Sequence, residues 1–223
     1  MRHLLDLLIP ARCALCGRGA DPVCPACLAA LPVLGGPGCG RCGKPTAAPV
    51  ADCRECRGRR LGFDTAAAAL AFEGRGRDLV LRFKDAGLRG LSDPAAGLVA
   101  TIVPRPDCDL VTWVPADRWR TIRRGYHPPQ VLADRLARKW GVPARALLGA
   151  APIRRPQRGL DHAARRRNVR GAFRPLAALA GERIAIVDDV FTTGATLSAC
   201  GTALRAAGAG GVAAVSLARV VRI

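Results

Sequence analysis

The sequence predicts an α/β domain, a parallel sheet with helices on both faces, preceded by a small segment that needs metal to fold. Three observations predict it. Eight of the ten cysteines fall in four C-x-x-C pairs confined to residues 13–56. From about Thr65 onward, short apolar runs alternate with amphipathic ones, the pattern of successive strands and helices. Finally, the apolar run IAIV ends in the adjacent acids Asp188 and Asp189, and the chain then turns through TTGAT.

Composition divides the chain near residue 60, giving a first unit of 1–60 and a second of 61–223. Residues 11–60 hold the paired cysteines, many Gly and Pro, and little periodic hydrophobicity. Such a segment buries too little apolar surface to fold unaided. Zinc is the expected staple, because it prefers tetrahedral thiolate and a C-x-x-C turn offers two sulfurs at suitable spacing. Pairing neighbours gives one ion on Cys13, Cys16, Cys24 and Cys27 and another on Cys39, Cys42, Cys53 and Cys56. The short links Cys16–Cys24 and Cys42–Cys53 favour this pairing, while a crossed arrangement, first pair with third, stays open on the sequence. A redox role for one pair and an iron–sulfur cluster are the minor alternatives. Cys108 and Cys200, alone among apolar residues, read as packed core thiols. Ahead of the knuckles, MRHLLDLLIP reads as a short amphipathic helix and not as a signal peptide. No run is long enough to span a bilayer, and the expected location is the cytoplasm.

The elements follow in order. TAAAALAF, residues 65–72, reads as a strand, though Ala is a poor strand former. GRDLVLRFKDAG, residues 76–87, reads as a helix ended by Gly87. A second helix spans 92–103 from Ser92. DLVTWVP, residues 109–115, is a buried strand stopped by Pro115. Pro129 to Trp140, apolar at Val131, Leu132, Leu136 and Trp140, is an amphipathic helix ended by Gly141. Residues 152–171 form an Arg-rich loop without periodicity. RIAIVDD is a strand, Ala195 to Ala207 a helix, and GVAAVSLARVV a final strand.

In a parallel α/β sheet, ligands sit at the carboxyl ends of strands, where Asp188 and Asp189 lie. The turn that follows presents free backbone N–H groups at a helix N-terminus, an anion site. Gly194 lets the backbone approach a phosphate closely. Thr192, Thr193 and Thr196 add hydroxyls. Carboxylates cannot hold the phosphate, but they suit a sugar diol or, through water, Mg²⁺. Acceptors for a ribose and donors for a phosphate thus stand together. The competing structural reading is that the acids merely cap the turn.

The charge supports an anionic partner. There are 35 Lys and Arg against 17 Asp and Glu, a formal +18. Two tetrathiolate zinc centres carry a net of about −4, leaving roughly +14. Part of the Arg excess is what a GC-rich genome writes, but the sign of the bias is not. Basic residues cluster at Arg118, Arg120, Arg123 and Arg124, and again at Arg154, Arg155, Arg158, Arg165, Arg166, Arg167 and Arg170. Their forks suit phosphate oxygens, although any single one is as well explained by a solvated face. Arg54, Arg57, Arg59 and Arg60 lie on or beside the second cysteine knuckles, where they would favour single-stranded nucleic acid. Trp119, Tyr126 and Phe63 are the few aromatics available to stack on bases. His127 and His162 are candidate acid–base groups, but nothing in their spacing demands that role.

IAIVDDVFTTGAT closely resembles the phosphoribosyl pyrophosphate (PRPP) signature of type I phosphoribosyltransferases. With the C-x-x-C pairs, FEGRGRDLVLRFKDAG, DLVTWVPADRWRTIRRGYHPPQVLA and RRPQRGLDHAARRRNVRGAF, it resembles the ComF family, phosphoribosyltransferase-like proteins linked to natural competence. The chain departs from the family pattern at His127-Pro128-Pro129 and at Trp113.

The resemblance implies a type I phosphoribosyltransferase-like parallel sheet behind a double zinc ribbon. It implies that Asp188 and Asp189 meet the ribose hydroxyls, with Val190, Thr192, Thr193, Gly194, Ala195 and Thr196 forming the 5′-phosphate cradle. Lys84, Arg123, Arg124, Gln157, Arg166, Arg167 and Asn168 would belong to the pyrophosphate and flexible loops. Magnesium would accompany PRPP. The implied function is PRPP binding in a protein that assists single-stranded DNA uptake, with competence-machinery proteins as partners. The alternative is an active transferase joining ribose 5-phosphate to an unknown acceptor. A third reading is a nucleic-acid-binding zinc protein with a vestigial phosphate loop.

Overall fold

The computed structural model describes residues 12–85, 89–116, 125–150 and 171–221. Four parallel strands form the main sheet: β1 (Thr65–Ala71), β2 (Leu110–Trp113), β5 (Arg183–Phe191) and β6 (Gly211–Arg219), in the order β1-β6-β5-β2. The central pair keeps one register, Ile184 opposite Val212 through Asp188 opposite Ser216 to Phe191 opposite Arg219. β5 is buried on both sides over Ile184–Val187, which is why its sequence runs apolar instead of alternating.

The two faces have different covers. Ala185, Val187, Val215 and Leu217 pack with Leu79, Val80 and Phe83 of α2 (Gly74–Asp85), with Ala95, Ala96 and Val99 of α3 (Ser92–Ile102), and with Leu132, Leu136 and Trp140 of α4 (Pro128–Trp140). Ile184, Ile186, Val212 and Ala214 pack with Leu197, Cys200 and Leu204 of α5 (Ala195–Ala206). The helical expectations hold within a few residues. α4 ends as expected, at Gly141, whose φ of 68° places it in the left-handed region and lets its N–H donate to the Ala137 carbonyl. Gly87 lies outside the described residues.

Besides a 3-10 turn at Arg89–Leu91, two elements have no counterpart in the sequence reading. One is a single helical turn, α1 (Pro25–Ala29), which starts after Cys24 and carries Cys27 of the second C-x-x-C pair. The other is an antiparallel hairpin of β3 (Leu148–Ala150) and β4 (Phe173–Pro175), which brackets residues 151–170. At three residues each, these strands are too short to leave a periodic signal.

The cysteine-rich segment is built onto the sheet. Cys13, Val23, Cys27 and Leu31 join the cluster under α2 and α3, while Cys39, Cys42, Cys53 and Cys56 join the one under α5. The chain between them runs along the open edge of β1. Leu34 N–H donates to the Ala69 carbonyl at 2.9 Å and Ala71 N–H to the Pro32 carbonyl at 2.8 Å. One ribbon therefore covers each face and their connection pairs the edge, which removes an exposed template for strand addition. The second ribbon lies close against β1 at Gly43. A Cβ on Gly43 would come 2.4 Å from the Ala66 carbonyl oxygen, so backbone lies directly on backbone there. Among the described residues, no helix is long and apolar enough to cross a membrane.

Candidate functional site

The four sulfurs of Cys13, Cys16, Cys24 and Cys27 lie within 4.8 Å of one another, as do those of Cys39, Cys42, Cys53 and Cys56. Neighbouring pairs thus share a site, and the crossed arrangement is excluded. The spacing fits zinc. A tetrahedron with Zn–S of about 2.3 Å has edges of about 3.8 Å. Cys16 and Cys24 sulfurs stand 3.7 Å apart, and those of Cys42 and Cys53 3.8 Å. The chemistry of the donor set points the same way. Burial and three neighbouring sulfurs push the Cys27 thiol up to about 12. Burial also raises Cys13, but the N–H groups of Cys24, Cys16 and Leu15 outweigh it and bring that thiol to about 6. Four adjacent thiolates are mutually unfavourable unless a dication lies among them.

Each ribbon is tied to the α/β unit by an arginine, the first through helix α2 and the second through strand β6. Arg75, in the first turn of α2, points Nη1 at the Cys27 sulfur, 2.9 Å away. Arg219, the last residue of β6, donates through Nη1 to the Cys42 carbonyl. The second ribbon also reaches α5 through its exit segment. Gly62 N–H donates to Ser198 Oγ at 2.9 Å and Arg205 Nε to the Gly62 carbonyl at 3.2 Å. A Cβ on Gly62 would fall 2.0 Å from the Ser198 carbonyl oxygen, so only glycine fits.

At the carboxyl end of β5, Asp189 is 7 % exposed and pairs with Lys84 of α2, Nζ lying 3.1 Å from Oδ2 and 3.4 Å from Oδ1. Asp188 accepts the Asp189 backbone N–H on Oδ1 at 2.9 Å. Burial first, then the charge of Asp189, push the Asp188 carboxyl up to about 8. Its field in turn adds to the burial that raises the Cys200 thiol on α5. The acids are adjacent in sequence but differ in surroundings: Lys84 contacts Asp189 directly and reaches Asp188 only through its field, while Asp188 acts on Cys200 of α5. Lys84, expected in the pyrophosphate and flexible-loop set, is found holding an acid of the ribose set.

The turn beyond β5 has the expected backbone. Gly194 adopts φ 72° and begins α5. A Cβ there would meet the Phe191 ring at 2.6 Å, so conformation and space both require glycine. Thr192 and Thr193 are exposed, Ala195 and Thr196 half-buried. Thr193 Oγ1 accepts the Ala195 N–H at 3.4 Å. Val190 is half-buried against the core under α2 and α3. Phe191 is wedged edge-on against Phe63, with ring centroids 6.1 Å apart.

The loop after β2 returns through Gly125, at φ 70°, to Tyr126, whose ring packs edge-on against Phe83 at 6.4 Å, one residue from Lys84. Arg123 and Arg124 lie outside the described residues, as do Gln157, Arg166, Arg167 and Asn168. His162 and Trp119 lie there too. His127 provides the cap residue of α4. The expectation that Phe63 and Tyr126 are base-stacking platforms is corrected: they are 2 % and 7 % exposed, consumed by core contacts. Sequence reasoning missed Arg75 and Arg219, which look like any other arginine in an Arg-rich chain.

Comparison with known proteins agrees with this architecture. Residues 4–57 match the double zinc ribbon domain. The chain is 36% identical over 111 residues to Competence protein F of Haemophilus influenzae (strain ATCC 51907 / DSM 11121 / KW20 / Rd). That match spans 48% of this chain and 48% of the relative, about half of each. Solved structures similar in part include the glutamine PRPP amidotransferase from B. subtilis, at 20% identity and TM-score 0.40, covering 60% of this chain and 30% of that one. Another is adenine phosphoribosyltransferase from Thermoanaerobacter pseudethanolicus, at 19% and 0.38, covering 64% and 73%. A third is the purine phosphoribosyltransferase of Pyrococcus horikoshii Ot3, at 22% and 0.35, covering 57% and 71%. The ribbon match covers the cysteine-rich segment, and the partial match to Competence protein F accords with the resemblance to the ComF family.

Proposed function

We propose that this ComF-like protein, with its double zinc ribbon and phosphoribosyltransferase-like sheet, binds PRPP or a related phosphoribosyl ligand with magnesium at the end of β5. Through its basic surface it would assist single-stranded DNA uptake. The observation that carries the reading is the corner formed by Asp188, Asp189 and Gly194. Two acids lie near the end of the central strand, two residues before it ends at Phe191, and a left-handed glycine beside the exposed Thr192 and Thr193 opens the next helix. Thr192 to Thr196 supply donors for a 5′-phosphate, while Asp188 and Asp189 supply acceptors for the ribose hydroxyls. Lys84 Nζ contacts both carboxylate oxygens of Asp189 and holds them in one orientation. Magnesium, when bound with PRPP, would add cationic charge beside the acids and the pyrophosphate. The eight cysteines hold two structural zinc ions, and these have no open position for chemistry.

The part in DNA uptake rests on the relative's printed name and on charge. Arg54, Arg57 and Arg60 are exposed on the second ribbon. Arg41 and Lys44 beside them are already paired, with Asp52 and Glu55. With Phe63 and Tyr126 buried, contact there would be electrostatic, tolerant of sequence and strongly weakened by salt.

The deciding experiment is titration of PRPP, with and without Mg²⁺, into the zinc-loaded wild type and into Asp189→Ala. Saturable binding to the wild type that weakens at least tenfold in the variant supports the site. Absent binding in both would make the phosphate loop vestigial. Pyrophosphate release on adding nucleobases or other acceptors would favour a working transferase over a binding module.

A further inference from the structure

Arg219 is 2 % exposed, yet it carries a charge. Among the described residues its guanidinium has no carboxylate in ion-pair contact. Nη1 donates to the Cys42 carbonyl, and Nε has no hydrogen-bond partner. The guanidinium carbon stands 4.9 Å from the centroid of the Phe191 ring. Burying a cation this way is costly unless something anionic offsets it. The carbonyl that accepts from Arg219 belongs to Cys42, one of the four sulfur ligands of the second site, so the guanidinium is fastened to the backbone of that site. A zinc tetrathiolate carries a net charge of about −2, so the loaded second ribbon supplies the missing counter-charge.

Phe191 is the other half of the connection. Its ring is held between Arg219 and Phe63, and it forms the surface on which Gly194 rests. Its carbonyl also accepts the Val220 N–H at 2.9 Å, fixing the chain just past Arg219 to the same point. A continuous series of contacts thus runs from the second zinc site through Arg219 and Phe191 to the turn that opens α5. The ribbon's exit segment also touches α5, at Ser198 and Arg205, a route that Arg219→Met leaves intact, whereas the first ribbon sits on the opposite face of the sheet.

We propose that Arg219 is a positioning residue: it couples occupancy of the second four-cysteine site to the shape of the 192–196 turn, so that this turn is ordered for an anion only while that site holds zinc. The proposal rests on the phosphoribosyl reading only for the identity of the anion. Coupling of this sort is reciprocal, so a ligand in the turn must also retain the second zinc.

Hydrogen exchange of the 192–198 amides tests the coupling without any ligand. Arg219→Met, with two zinc ions retained, is expected to exchange these amides at least tenfold faster than wild type. Cys53→Ser, with one ion lost, should do the same, and Arg219→Lys should fall between. Val99→Ala, on the opposite face, serves as a control for general loss of stability and should leave the ratio of turn to core exchange unchanged. In wild type, saturating ribose 5-phosphate should slow chelator-driven loss of one zinc ion and not the other, an asymmetry that Arg219→Met should abolish. Should Cys53→Ser fail to fold, Arg219→Met decides alone. Unchanged turn exchange in folded Arg219→Met, or equal acceleration in Val99→Ala, overturns the proposal. If the wild type binds no ribose 5-phosphate, the phosphoribosyl reading fails, and the exchange comparison still decides the coupling.

Discussion

The ammonium of Lys84 straddles both carboxylate oxygens of Asp189, at 3.1 Å and 3.4 Å, joining the end of α2 to the end of β5 across 105 residues of chain. Asp189 is nearly enclosed, whereas Lys84 keeps about a third of its surface in water. The pair is therefore more important to the acid than to the base. It is also the contact through which a helix that supplies no other site residue shapes the site.

Removing Lys84 leaves a buried carboxylate with a lost charged partner. Lys84→Met is expected to cost about 1–3 kcal/mol, with exposure of the lysine favouring the lower part of that range. Thermal unfolding of Lys84→Met, Asp189→Asn and the double variant checks it. The two losses should be strongly non-additive, with the double variant more stable than their sum implies. Simple additivity would mean that the contact carries no energy.

Asp188 makes a pH prediction. Its carboxyl is pushed from an ordinary 3.8 up to about 8, so the folded state holds a proton that the unfolded chain releases. The stability from this group is complete below about pH 4 and declines as pH rises toward 8. Asp188→Asn, which cannot ionise, removes that decline. The variant should gain at least about 3 °C in melting temperature over wild type at pH 8, and much less at pH 4.5. A gain that does not grow with pH would contradict the burial assigned here.

Gly194 is required twice over, by its φ of 72° and by the Phe191 ring. Gly194→Ala should cost about 1–3 kcal/mol in stability. It should also weaken ribose 5-phosphate binding at least tenfold in calorimetric titration, because the turn must open to admit the methyl group. Binding retained at wild-type affinity would show that the turn is not the cradle.

The first zinc site offers a separate test. Arg75 donates toward the Cys27 sulfur at 2.9 Å, and outer contacts of this kind change metal affinity by about 10–100-fold. Purified protein should hold two zinc ions by elemental analysis. Arg75→Met should keep both but release one of them roughly tenfold faster to a chelator. Equal release of the two ions would remove Arg75 from the site.

Local signals in the sequence were sufficient for most of the architecture. The spacing of eight cysteines defined two metal sites, because C-x-x-C geometry is set within four residues. Continuous burial of Ile184–Val187 left an apolar run, and the left-handed requirement at Gly194 left a glycine at a strand-to-helix turn. These are properties of neighbouring residues, and chemistry records them in order along the chain. Tertiary structure decided what depends on distant partners. It set neighbouring knuckles on common sites, wrapped the ribbons around the β1 edge, and closed the β3–β4 hairpin. It buried Phe63 and Tyr126, which composition offers as stacking groups. It also chose Arg75 of α2 and Arg219 of β6, out of many arginines, as ties between ribbon and α/β unit, and Lys84 as the partner of Asp189. A charged side chain acquires such a role only from what folding brings within a few ångströms of it, and that proximity has no periodicity or motif to announce it.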